Sequence, residues 1–314
     1  MSDFAPVPGT VLPRFAGIPT FMRLPHVPLG DPRIGEVEVG LIGAPFDTGT
    51  TNRPGARHGP RQVRDASTMI RAEHGVTGMR PFEAMRCADL GDVGPNPADI
   101  ADTLARMETF YDEVLSHGIR PLTCGGDHLC SLPILRALAR DRPLAMIHFD
   151  SHSDLFAGYF GGTRYTHGTP FRRAIEEGLL EPSRVVQIGL RGTAYDTEDR
   201  EFGRANGVRM IPVEEMFDRG LTDVMAEARE IVGDAETYVS FDIDFVDPAF
   251  APGTGTPEVG GPSSFQALQG VRGLLGVRIA GADMVEVSPP FDPTGATAYL
   301  GASVMFELLC VMAP

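Results

Sequence analysis

The chain has 314 residues, 42% hydrophobic and 22% charged, which is enough apolar material for a packed domain and rules out a disordered chain. A formal net charge of −15 leaves no basic footprint for nucleic acid. No apolar run approaches the ~20 residues of a membrane span, and MSDFAPVPGTVLPRF carries Asp3 and three prolines where a secretory leader would be basic and then apolar.

A cytoplasmic protein with neither a nucleic-acid nor a membrane partner is therefore expected. Residues 1–35 are proline-rich and lack a period; they read as an arm packed on the body or on a neighbouring subunit. Residues 36–314 contain no linker and read as a single domain. Its first strand is predicted at EVEVGLIGA (36–44), followed by a Gly-rich loop and a helical pattern, GPRQVRDASTMIRA (59–72). MRCADLG (85–91) is the second strand. In ADIADTLARMETFYDEVLSHG (98–118), Ile100, Leu104, Met107, Tyr111 and Leu115 recur at helical spacing and Gly118 closes the segment. Strand RPLTCGG (120–126), helix SLPILRALARD (131–141), strand PLAMIHFD (143–150) and helix PFRRAIEEGLL (170–180) follow. Strands RVVQIGLR (184–191) and GVRMIPV (207–213) precede helix LTDVMAEAREIVG (221–233). Strand TYVSFDID (237–244), helix SFQALQGVRGLLG (264–276) and strand RIAGADMVEVS (278–288) complete the series.

Most of these strands are near-continuous apolar runs, the pattern of strands covered on both faces. Alternation of strand and helix predicts an α/β fold with a mainly parallel sheet, in which ligands bind beyond the carboxyl ends of the strands. Cys87, Cys124, Cys130 and Cys310 form no CxxC pair and read as buried thiols.

Three predicted strands end in ionisable residues. RPLTC runs into Asp127 and His128, PLAMIHF into Asp150, His152 and Asp154, and TYVSF into Asp242 and Asp244. Alternation by two keeps each set on one side of an extended chain. Desolvated charges are costly unless they are paired or hold a cation. Six ligands, His128, Asp150, His152, Asp154, Asp242 and Asp244, are rich in carboxylate and suit hard or borderline divalent ions such as Mn2+. Six exceed what one catalytic ion takes from protein, so two ions that activate a shared water are expected. His148, inside its strand, and Asp127 read as outer-sphere partners that orient ligands.

GGDH (125–128), DSHSD (150–154) and SFDIDFVDPAFAPGTGTPEVGG (240–261) resemble the three metal-binding signatures of the ureohydrolase family, which includes arginase and agmatinase. GAPFDTGTTNRPGARHGPRQVR (43–64), HGTPFRRA (167–174) and MVEVSPPFD (284–292) also fit its pattern, and IPTFMRLPH (18–26) points to the branch of agmatinases, guanidinobutyrases and clavulanate-pathway amidinohydrolases. Two departures stand out: Ser151 replaces the usual alanine of Asp-Ala-His, and Leu129 stands where serine or threonine is common. The resemblance implies a three-layer α/β/α sandwich around an eight-stranded, mainly parallel sheet, assembled as a homotrimer or homohexamer. It implies two Mn2+ per subunit, with Ni2+ or another divalent ion as the alternative. His128, Asp150, Asp154 and Asp242 would hold one, and His152, Asp150, Asp242 and Asp244 the other.

The implied reaction is hydrolysis of a guanidino group to urea and an amine. A guanidinium ion stays protonated in water and is a poor electrophile. It needs an activated water, an anion to orient it and a proton for the departing amine. Glu286 is the candidate orienting carboxylate, able to meet the planar cation through two hydrogen bonds. Asp154 and His167 are the candidates for proton transfer. The insert LFAGYFGGTRYT (155–166) offers Phe156, Tyr159, Phe160, Tyr165 and Arg164, which argues against arginine as substrate. Arg164 and Tyr165 are the candidate tail contacts, Arg164 able to pair a substrate carboxylate or to face solvent. Agmatine is the first choice of substrate, with 4-guanidinobutyrate or another ω-guanidino acid as the alternative. A di-metal phosphoesterase is disfavoured because Glu286 would repel phosphate, and a single-zinc deacetylase because Asp244 and the GGDH histidine supply a second ion's ligands. A non-catalytic metal-holding member of the family is the distant alternative.

Overall fold

The computed structural model describes residues 3–314, so residues 1 and 2 of the arm lie outside the described residues. The body alternates strand and helix: β1 (Val39–Gly43), α1 (Gly59–Ser67), α2 (Pro81–Ala84), β2 (Cys87–Asp92), α3 (Ile100–Ser116), β3 (Arg120–Cys124), α4 (Ser131–Leu138) and β4 (Leu144–Phe149). It continues with α5 (Pro170–Glu176), β5 (Leu180–Leu190), α6 (Glu198–Asn206), β6 (Arg209–Pro212), α7 (Val213–Arg219) and α8 (Leu221–Val232). β7 (Thr237–Asp242), α9 (Ser264–Arg272), β8 (Ile279–Val285) and α10 (Ala296–Met312) complete it.

The eight strands form one sheet in the order β2-β1-β3-β8-β7-β4-β5-β6, and every pair is parallel. β1, β4 and β7 are buried at every residue, as strands sandwiched between helices must be. One core joins the sheet to α1, α8, α9 and α10; the other joins it to α3, α4 and α5. This is the expected three-layer sandwich.

Local chemistry sets the helix ends. Asp99 caps α3 by accepting from the Asp102 N–H at 3.0 Å. Ser263 and Gln266 make a reciprocal capping box on α9. The predicted helix over 170–180 is shorter than expected: α5 stops at Glu176, Gly178 turns at φ 72°, and Leu180 already belongs to β5. The arm lies against the β2 edge, where the Phe21 N–H donates to Asp89 Oδ2 at 2.9 Å and the Val27 N–H to the Asp89 carbonyl at 2.9 Å. Its Phe15 and Ile18 are 95% and 89% exposed, leaving an apolar strip uncovered.

The topology decides where the chemistry falls. β3, β8, β7 and β4 are consecutive across the middle of the sheet, so their carboxyl ends open side by side.

Candidate active site

At that edge the three predicted sets converge. His128 Nδ1 lies 3.1 Å from Asp150 Oδ2, 3.0 Å from Asp154 Oδ2 and 3.2 Å from Asp242 Oδ2. This nitrogen is buried and has no hydrogen-bond partner among the described residues. Its tautomer follows from the other side of the ring. Ser240 donates to Asp283 Oδ1 at 2.7 Å, so its oxygen, 2.8 Å from His128 Nε2, accepts the ring N–H. The lone pair is therefore on Nδ1, aimed among three carboxylates. Asp283 is a buried hub that also accepts from Ser131 at 2.5 Å and from Tyr238.

His152 Nδ1 lies 3.1 Å from Asp244 Oδ2 and 3.5 Å from Asp150 Oδ1, so Asp150 faces both histidines. Backbone donors hold the carboxylates: the His152 N–H donates to Asp150 Oδ1 at 2.7 Å, and the Asp244 N–H to Asp242 Oδ1 at 2.8 Å. Burial, and then the charges of Asp244 and Asp150, push Asp242 well above the ordinary carboxylate range. Burial opposes ionisation of Asp150 too, but His148, bonded to it at 2.8 Å, outweighs it and holds that group well below the range. A lone pair without a donor, set among converging oxygens, is a donor set that fits divalent cations.

His148 behaves as an orienting group. Gln187 donates to its Nδ1 at 3.1 Å, which leaves Nε2–H to donate to Asp150 Oδ2 at 2.8 Å. Asp127 does something other than the expected orientation of a ligand histidine. Its carboxylate accepts from the N–H groups of Gly49, at 2.7 Å, and Leu129, at 3.0 Å, and so ties the loop after β1 to the end of β3.

Glu286 and His167 meet beside the cluster. Glu286 Oε1 accepts from the His128 N–H at 2.9 Å and lies 2.9 Å from His167 Nδ1, while Oε2 makes no hydrogen bond among the described residues. Glu286 and Asp154 hold the left-handed conformation at φ 64° and 53°, costly for residues with a Cβ and typical of functional positions. Burial disfavours a charged His167, but the Glu286 carboxylate overrides it and pushes the ring up to about 9. Thr51 meets either protonation state: its N–H, 3.1 Å from Nε2, can donate to a lone pair, and its hydroxyl, at 2.8 Å, can accept from an N–H.

His128, His152, Asp154, His167, Asp242 and Glu286 line a single cavity of about 660 Å³, with Asp150 and Asp244 beneath. Phe156 and Tyr159 line it too, both packed edge-on against Tyr195. Arg164 and Tyr165 do not, which corrects their expected contact with substrate. Arg164 points outward and pairs Glu176 at 3.0 Å, and Tyr165 sits beneath the Arg136 guanidinium, 5.9 Å from its ring centre. The cavity wall instead carries arginines that the sequence reading passed over: Arg53, Arg191, Arg200 and Arg204. Arg200 and Arg204 have the i, i+4 spacing of one helix face, a signal hidden by the uniform polarity of their segment.

The arginase-family model matches residues 37–311. Guanidinopropionase of Pseudomonas aeruginosa is 58% identical over 98% of this chain and 96% of its own length, and guanidinobutyrase of the same organism is 47% identical over the same shares. Among solved structures, proclavaminate amidino hydrolase of Streptomyces clavuligerus superposes with a TM-score of 0.91 at 42% identity, covering 96% of this chain and 99% of that one.

Proposed function

This chain belongs to the arginase family of amidinohydrolases, and from that premise we propose that it hydrolyses a short ω-guanidino acid to urea and an amino acid. Agmatine as first choice is not supported by the most similar relatives reported above, whose names point to guanidinopropionate and guanidinobutyrate. The observation that carries the reading is the unpartnered His128 Nδ1 among three carboxylates, facing the same cavity as Glu286.

Two Mn2+ ions, with Ni2+ as the alternative, would be held by His128, Asp150, Asp154 and Asp242 and by His152, Asp150, Asp242 and Asp244. When bound they supply Lewis-acid activation of water near neutral pH. The chain's own residues do the rest. Glu286 Oε2 is the oxygen left over for the substrate guanidinium, since Oε1 is taken by the His128 N–H and His167. Asp154 faces the cluster and accepts a proton from the attacking water. His167, kept easy to protonate by Glu286, supplies one to the departing nitrogen and is met by Thr51 before and after. A homotrimer or homohexamer is the expected assembly, supported by the uncovered apolar strip at Phe15 and Ile18.

A second reading keeps agmatine. Asp199 Oδ1, buried against the cavity, makes no hydrogen bond among the described residues and only a loose ion pair with Arg200 at 3.8 Å, so it has room to receive an ammonium group. Urea release from 3-guanidinopropionate, 4-guanidinobutyrate and agmatine by the Mn2+-loaded protein separates the two. A guanidino acid giving the highest kcat/KM is expected; agmatine giving it would install the second reading. Asp150→Asn is expected to lose both bound metal and turnover, and retained turnover would remove the two-ion assignment.

A further inference from the structure

We infer that Arg200 takes the carboxylate of the substrate, an inference that rests on the guanidino-acid reading. Of the four arginines on the cavity wall, two are committed. Arg53 donates to the Thr254 carbonyl at 2.5 Å, and although its Nε is also buried without a hydrogen-bond partner, its plane is fixed by stacking over the Phe291 ring at 3.8 Å. Arg191 donates to the carbonyls of Gly189, Asp244 and Glu258 at 2.7–3.2 Å, bracing the loop that follows β7. Arg204 stands on α6 one turn, about 5.4 Å, beyond Arg200 and is exposed.

Among the described residues Arg200 has no ring stacked against it and its side chain makes one hydrogen bond, from Nη2 to the Asp196 carbonyl at 2.8 Å, while its Nε is buried without a hydrogen-bond partner. A desolvated N–H on a permanent cation calls for an acceptor, and a carboxylate can take Nε–H and an Nη N–H together. Arg200 Nε forms a loose ion pair with Asp199 Oδ1 at 3.8 Å, too long for a hydrogen bond, so neither atom has its hydrogen-bonding capacity met. The other oxygen of Asp199 accepts from Ser153 at 2.6 Å. Since Ser153 adjoins Asp154, Arg200 is two contacts from the metal-ligand loop.

Glu286 follows β8 and Arg200 stands in α6 after β5, strands that flank the β7–β4 pair, and both side chains line the same cavity.

The test compares two substrates that differ only in the tail charge: 3-guanidinopropionate and propylguanidine, both with Mn2+-loaded protein. For Arg200→Gln we expect KM for the acid to rise about 10–100-fold, the worth of a lost charge-assisted pair, with kcat little changed and propylguanidine kinetics unaltered. Arg200→Lys should recover part of the loss, and Arg164→Gln, which alters the outward-pointing arginine, should change neither substrate. An unchanged preference in Arg200→Gln overturns the inference while leaving the guanidino-acid reading intact. Equal losses on both compounds also overturn it, marking Arg200 as structural. If the unsubstituted protein itself shows no preference for the acid over propylguanidine, the underlying reading fails first.

Discussion

Ser151 donates its hydroxyl proton to Asp244 Oδ1 at 2.7 Å and lies 3.1 Å from His152 Nδ1. The family's usual alanine at this position has no hydroxyl to donate, so this chain has added a support beneath one expected ligand, Asp244. Ser151→Ala is predicted to weaken divalent-ion affinity about 10-fold, the lower end for loss of an outer partner. Equilibrium dialysis with elemental analysis checks it, and unchanged affinity would make the hydroxyl incidental. At this scale the sequence was informative where residues of one kind recur at strand ends. His128, Asp150, His152, Asp154, Asp242 and Asp244 alternate after apolar runs, and the structure brings them together. It was uninformative about direction. Arg164, close to His167 in the chain, turns outward to Glu176, whereas Arg200, 33 positions after His167, faces the cavity.

Among elements, the eight strands were legible because each is a short apolar run bounded by turn residues. Four helices were not, for two physical reasons. α10 is buried on nearly every side, so it has no polar face and no amphipathic period to betray it. α6 and α7 are polar segments that tertiary contacts, more than pattern, make helical, and α2 is one turn long. The start of α10 depends on Asp292, whose Oδ2 accepts from the Thr297 N–H and hydroxyl, both at 2.7 Å, and whose Oδ1 accepts from the Thr294 N–H at 2.9 Å. Burial works against ionisation, but the hydrogen bond from the Thr294 hydroxyl, together with these others, prevails and holds the carboxyl down at about 2. A folded-state value below the unfolded 3.8 stabilises the fold above about pH 4, and the benefit drains away as pH falls toward 2. Asp292→Ala should therefore cost about 1–2 kcal/mol at pH 7, a gap that narrows below pH 4. Urea unfolding at both pH values checks it, and a constant gap would exclude the titration.

For the whole molecule, four carboxylates crowd one point between β4 and β7, and a bound cation relieves their repulsion. Exhaustive chelation should lower the melting temperature by roughly 5 °C, reversed by Mn2+, because a ligand at 100 times its Kd stabilises by about 2.7 kcal/mol. No shift in either direction would argue against cations at this cluster. Light scattering should return three or six times the 33.7 kDa chain mass, and Phe15→Asp with Ile18→Asp should reduce it. A monomer at micromolar concentration would refute the assembly. The position of β8 has a consequence for how this chain is made. In the sheet of the described residues it alone joins a β2-β1-β3 block to a β7-β4-β5-β6 block, yet ribosomes deliver it after nearly nine-tenths of the polypeptide. Until then two half-sheets wait with bare inner edges open to mispairing. Nascent chains stalled before Ile279 should be the form that molecular chaperones hold, and premature stop codons there should yield insoluble product.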